Sequence, residues 1–203
     1  MKLDAKQLRA SKPRQEDIKK IKRRGVYIVC DNVLDTYNIG SIFRLADAVG
    51  AREVCLCGGS ETPPNSKIAK AAVGTEKWVP WTYFATASEA IEALRERHSR
   101  LARPERSRRD RESADPRFRE DDNRMIRVIA IEQGKGSIDF RKVNYQLQVT
   151  SNQALAFIVG HETDGVSKEA LEIADLIVEI PMFGVNRSLN VMVSLAIVLF
   201  RAI

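Results

Sequence analysis

Five short, largely apolar runs punctuate the chain: VYIVC at 26–30, EVCLC at 53–57, RVIAI at 127–131, ALAFIVG at 154–160 and DLIVEI at 175–180. Each is shorter than an ordinary helix and rich in β-branched residues, the pattern of strands covered on both faces. Between them the period changes. In NIGSIFRLADAVGA (38–51), Ile39, Ile42, Phe43, Ala46 and Val49 recur at helical spacing and define a core face, with Gly50 as a stop. A second helix is expected over 88–102, and a third begins near Asn190, where a polar loop gives way to VMVSLAIVLF. Strands that alternate with helices predict an α/β domain, a parallel sheet flanked by helices.

Two features sit outside this alternation. Arg44 stands roughly opposite Ile39 and Ile42 on its helix, so no apolar face claims it. It lies above Gly40, one turn earlier, where a missing side chain is expected to leave room for a ligand. Residues 103–124, RPERSRRDRESADPRFREDDNR, mix both signs of charge with two prolines and almost no apolar content; they read as a mobile surface insertion.

Length and composition refine the picture. At 203 residues, one main domain is expected. The longest apolar run, Val191 to Phe200, is far short of the roughly 20 residues of a membrane helix. The opening MKLDAKQLRASKPRQEDIKK shows no apolar signal region, so residence in the cytoplasm is expected. Cys30, Cys55 and Cys57 fit that compartment as buried, reduced thiols, and neither they nor His98 and His161 have the spacing of a zinc site, so no metal is expected.

Charge is uneven. The net charge is +6, yet residues 1–24 alone carry ten Lys and Arg against three acids, a net +7. This basic extension, expected to be helical, precedes a body at 25–203 and suits contact with nucleic-acid phosphates; a solvated helix would look the same.

Three segments place small, polar and charged residues after strands, where an open α/β sheet collects ligands. They are DNVLDTYNIGSIFR, ending at Arg44, GHETDGVS at 160–167, and IPMFGVNRSLN at 180–190. Each alone is also what turns and caps require; Ser167 can cap a helix, and so can Asn38. Neither GxGxxG nor GxxxxGK[ST] occurs, which argues against a dinucleotide-dependent oxidoreductase or a Walker-type nucleotide site.

Together, N-x-G-x-x-x-R, G-x-E-x-x-G and I-P-M-x-G-x-x-x-S-L-N-V resemble the SpoU (TrmH-like) class of SPOUT methyltransferases over roughly residues 26–203. Further similarity in KAAVGTEKWVP (70–80) and IDFRKVNY (138–145) points toward the branch that modifies a guanosine of the tRNA D-loop. The resemblance implies an S-adenosylmethionine-dependent RNA ribose 2′-O-methyltransferase, a homodimer, and a C-terminal trefoil knot whose loops wrap the cofactor. It favours tRNA as substrate, with rRNA, or a non-catalytic RNA-binding dimer of the same fold, as alternatives. It also implies roles: Ile131, Gly160, Ile180, Met182, Ser188 and Leu189 at the cofactor, and Asn38, Arg44, Glu162, Ser188 and Asn190 among the catalytic residues. The apolar helix after Asn190 is then expected to be covered partly by a second subunit.

Methyl transfer from a sulfonium needs no metal, only an oxygen nucleophile held in line with the methyl carbon. The family assigns activation of the hydroxyl to Arg44. A guanidinium gives up its proton reluctantly, so two versions stand: Arg44 acts as a base after desolvation with help from an RNA phosphate, or it stays charged and stabilises the developing alkoxide. The chain departs from the family pattern at His161 and Thr163, where the family more often has Asn or Gln and Gly or Lys. No counterpart is expected of the extra amino-terminal RNA-binding domain found in several rRNA-modifying members of that family, and the basic extension is expected to take over its task.

Overall fold

The computed structural model describes residues 13–101, 126–143, 145 and 154–203; the first twelve residues of the basic extension and the charged insertion at 103–124 lie outside them. In chain order the elements are α1 (Gln15–Lys19), β1 (Val26–Asp31), α2 (Thr36–Val49), β2 (Glu53–Cys57), α3 (Ser66–Ala72), β3 (Trp81–Phe84), α4 (Ala87–Leu101), β4 (Ile126–Ile131), β5 (Ile138–Asp139), β6 (Ala154–Val159), α5 (Lys168–Ile173), β7 (Leu176–Glu179) and α6 (Val191–Ala202). Among the described residues no helix is long and apolar enough to cross a membrane.

The seven strands form one sheet in the order β3-β2-β1-β6-β4-β7-β5, and every neighbouring pair is parallel. The near-continuous apolar runs are explained by burial on both faces. Along β1 the side chains alternate: Val26, Ile28 and Cys30 face one core, with Ile39, Ile42 and Phe43 of α2, Ile68 of α3 and Leu195, Val198 and Leu199 of α6. Tyr27 and Val29 face the other core, with Ala90, Ile91 and Leu94 of α4 and Ala170 of α5. The thiols of Cys30, Cys55 and Cys57 are free and fully buried, and burial pushes each well above the ordinary thiol range, so they pack as small apolar groups.

α2 follows its sequence pattern closely. Ile39, Ile42, Phe43, Ala46 and Val49 are buried, Arg44 is exposed, and Gly50 ends the helix at φ 65°. Gly40 corrects the expectation. A Cβ there would lie 2.6 Å from both Ala71 Cβ and the Ile68 carbonyl oxygen and 2.9 Å from the Ala72 nitrogen, so Gly40 serves the close approach of α3 and leaves no room for a ligand. The cap also differs: Asp35 accepts from the Tyr37 N–H at 2.8 Å, which frees the Asn38 side chain for other partners.

The basic extension is not wholly separate from the body. Arg23 donates to the carbonyls of Ala51 (3.1 Å) and Trp78 (2.7 Å), and the Arg24 N–H to that of Gly50 (2.7 Å). Burial lowers the Arg23 pKa, with Asp47 partly opposing it. Lys19, Lys20, Lys22 and Arg24 remain exposed.

α6 begins at Asn190, whose side chain caps the Met192 N–H at 3.0 Å. Leu195, Val198, Leu199 and Ala202 are buried, each large side chain contributing about 1.5–3 kcal/mol. Among the described residues only that face is covered; Phe200 stays 56% exposed, and Val193 and Ile203 are exposed beside it.

Candidate functional site

Because all strands run parallel, the loops after β1, β4, β6 and β7 emerge at one edge of the sheet, around the point where chain order reverses beside β1. There the loops after β4, β6 and β7 form a cavity of about 450 Å³, lined by Ile131–Gln133, Val159–Gly165, Val178–Ile180, Asn186–Val191 and Ser194. That volume lies in the range of small-molecule sites, about 300–1,000 Å³.

A hydrogen-bonded chain joins the three motifs at this edge. Glu162 Oε2 accepts from the Leu34 N–H (3.2 Å), and its Oε1 accepts from the Asp35 N–H (3.0 Å) and Asn38 Nδ2 (2.9 Å). Asn38 Oδ1 accepts from Asn190 Nδ2 at 2.9 Å. An ionised carboxylate only accepts, so Asn38 must turn its amide nitrogen to Glu162, leaving its oxygen for Asn190. Burial raises the Glu162 pKa, but the bonds from Asn38, Asp35 and Leu34 outweigh it and hold the carboxyl below its ordinary value.

Five of the six expected cofactor residues, Ile131, Gly160, Ile180, Ser188 and Leu189, line the cavity; Met182 is partly buried and lies outside the lining. Of the expected catalytic group, Glu162, Ser188 and Asn190 line it, and Asn38 is joined to it through Glu162 and Asn190. Arg44 is not in the lining. It stands on the outer face of α2, about 9 Å along the axis from Asn38, and makes no hydrogen bond or ion pair among the described residues.

The departures in the second motif are accommodated locally. His161 Nδ1 accepts from the N–H groups of Thr163 and Asp164, both at 3.1 Å, as a side-chain carbonyl oxygen would. The Asp164 carboxylate approaches the same nitrogen at 3.5 Å, which would be an ion pair only with a proton there. Two N–H groups already point at that nitrogen, so it acts as an acceptor and the largely exposed Asp164 is a bystander. His98 belongs elsewhere: it is buried on the opposite sheet face, 2.8 Å from the Tyr27 hydroxyl, and burial lowers its pKa with help from Arg52 and Arg97. Ser167 holds the N-cap position of α5, but its side chain makes no cap bond; its N–H donates to Asp31 Oδ2 at 2.8 Å.

Sequence reasoning missed Asp31, Glu132 and Glu179. Asp31 is 2% exposed at the end of β1, and Glu132 follows β4 and lines the cavity. Glu179 accepts from Ser137 Oγ at 2.6 Å. Their only signal is position, an acid at or just beyond the end of an apolar strand.

The sequence model of the SpoU rRNA Methylase family matches residues 25–200. Among curated proteins, a tRNA (guanosine(18)-2′-O)-methyltransferase of Aquifex aeolicus is 28% identical over 93% of this chain and 74% of its own length. The 23S rRNA (guanosine-2′-O-)-methyltransferase RlmB of Vibrio vulnificus is 28% identical over 87% of this chain and 58% of its own. Among solved structures, the SpoU methyltransferase AviRb of Streptomyces viridochromogenes, crystallised with the cofactor AdoMet, superposes with a TM-score of 0.68 at 21% identity, over 93% of this chain and 63% of that one. The chain therefore spans about six-tenths of the length of two of these proteins.

Proposed function

The chain belongs to the SpoU rRNA Methylase family, and from that premise we propose that it is an S-adenosylmethionine-dependent methyltransferase acting on a ribose 2′-hydroxyl of RNA. The observation that carries this reading is the Glu162–Asn38–Asn190 chain at the rim of the 450 Å³ cavity. It joins three motifs at the place where a nucleoside-sized ligand and a polar substrate would meet. Neighbouring proteins crystallised with AdoMet and relatives named as 2′-O-methyltransferases support it.

The cavity fits such a cofactor. Its walls include closely packed backbone: a Cβ on Gly160 would lie 2.1 Å from the Gly165 carbonyl carbon. Ile131, Gly160, Ile180, Ser188 and Leu189 would hold the cofactor, which supplies a methyl group carried on a sulfonium. The polar chain then fixes the edge against which the ribose is oriented. Asn38 and Asn190 have their amides locked by each other and by Glu162, so their positions are set before substrate arrives. Arg44 is given the role of a charged stabiliser for the oxygen as its proton leaves. It is exposed, so none of the described residues of one chain supplies the desolvation that a basic role would require.

The substrate is proposed to be tRNA, at a D-loop guanosine, in line with the Aquifex relative; the Vibrio relative keeps rRNA as the second reading. Exposed Lys19, Lys20, Lys22 and Arg24 are proposed to contact RNA phosphates. A homodimer is proposed to cover the open face of α6 together with Phe183 (88% exposed) and Val185 (102%). The trefoil threading of the C-terminal third, and residence in the cytoplasm, belong to the same proposal. Incubation of the purified protein with labelled cofactor and total RNA, followed by mapping of the methylated nucleotide, tests it. Label on ribose oxygens of tRNA is expected; no transfer to any RNA would refute it.

A further inference from the structure

We infer that Glu132 is a positioning residue for the cofactor wall, setting the Gly160–Val166 loop through its carboxylate. Its Oε1 accepts from the N–H of Gln133 (2.9 Å) and its Oε2 from the N–H of Val166 (2.8 Å), 34 residues away at the end of the loop after β6. The approach is as close as backbone permits. A Cβ on Gly165 would lie 2.2 Å from Oε2, and Gly165 sits at φ +73°, so the residue facing the carboxylate is a glycine for two independent reasons.

The bond has a consequence for the whole loop. His161 and Gly165 pair through reciprocal backbone bonds at 3.0 Å, and Gly160 packs directly on the Gly165 backbone. Fixing Val166 therefore fixes Gly160 and His161, both in the cavity lining. Ser167, the next residue, is held by the buried Asp31. Two carboxylates from separate strands thus grip successive amides, and Glu132 is the one on the cavity side. The proposal rests on the methyl-donor reading, since it names what this wall is ordered for.

The test compares the full-length protein with Glu132→Ala and Glu132→Gln, by calorimetry with S-adenosylmethionine and by hydrogen exchange at the Val166 amide without cofactor. Glutamine keeps an acceptor oxygen for Val166 and drops the charge, while its amide nitrogen cannot accept the local bond from the Gln133 N–H. Glu132→Ala loses the local bond from Gln133 and the charged bond that holds Val166; loss of the latter predicts roughly tenfold weaker cofactor binding and faster Val166 exchange. In Glu132→Gln, both are expected to stay within about threefold of the native protein, since a neutral amide oxygen still accepts the bond. Native affinity and native exchange in Glu132→Ala would overturn the proposal. So would a Glu132→Gln variant as weak as Glu132→Ala, which would mean that the charge or the local Gln133 bond, and not the grip on Val166, sets the affinity. A native protein that binds no cofactor would instead overturn the methyl-donor reading and this proposal with it.

Discussion

Asn190 donates from Nδ2 to Oδ1 of Asn38 at 2.9 Å, across 152 residues of sequence. The same Asn190 caps α6 with its Oδ1, and the same Asn38 donates to Glu162. One amide pair therefore couples the start of the C-terminal helix, the first turn of α2 and the loop after β6. In the proposed reaction this pair sets the alignment of the ribose.

Replacing Asn38 with Ala removes the middle of that chain while Glu162 keeps its bonds to the Leu34 and Asp35 amides. Turnover should fall ~10²-fold, the cost of a misplacement of about 1 Å, with cofactor affinity retained. Steady-state kinetics beside calorimetry checks the split.

Glu162 predicts an acid limit. Its folded pKa lies below the ordinary 4.5, so the stability it contributes is complete above that value and lost as pH falls through the folded one. Because the group is exposed, the effect is small, about 1 kcal/mol. Chemical denaturation between neutral pH and pH 3 should show native and Glu162→Gln proteins converging toward acid, and diverging above about pH 4.5.

Gly40→Ala forces a methyl group against the Ala71 side chain and the α3 backbone. Overpacking of this kind costs about 1–3 kcal/mol, so thermal unfolding should shift down. A ligand role for the open position would instead leave stability unchanged and weaken binding.

Lys19, Lys20 and Lys22 replaced together by Ala should weaken RNA binding and flatten its salt dependence, by about 0.7–0.9 in log–log slope for each phosphate that is no longer neutralised. Arg23 is left in place because it holds the Ala51 and Trp78 carbonyls. Unchanged affinity and slope in a salt titration would exclude this segment from the RNA-binding surface.

The frame of the molecule is legible in the sequence wherever burial is two-sided or periodic. Val26–Cys30 and Ala154–Val159 read as strands because both faces are covered, and α2 reads correctly down to its Gly50 stop. β3 is not legible, since Thr82 and Tyr83 of this short edge strand are exposed and carry no alternation. Gly40 misleads because a missing side chain looks the same whether a ligand or another helix fills the space. Asn38 reads equally well as a cap, because its true partners, Glu162 and Asn190, are remote in sequence. Asp31 and Glu132 bond backbone amides, which have no residue identity, so no pattern in the chain announces them.

The central claim is that Arg44 and the Asn38–Glu162–Asn190 chain act on a ribose held beside a methyl donor. Transfer of labelled methyl from S-adenosylmethionine to tRNA by the native and Arg44→Ala proteins, each at saturating cofactor, tests it most directly. The account predicts ribose 2′-O-methyl label from the native protein, and turnover in Arg44→Ala lowered at least ~10²-fold, the scale of losing a transition-state donor, with cofactor binding intact. Label on a base, or an Arg44→Ala protein that turns over at the native rate, would contradict it.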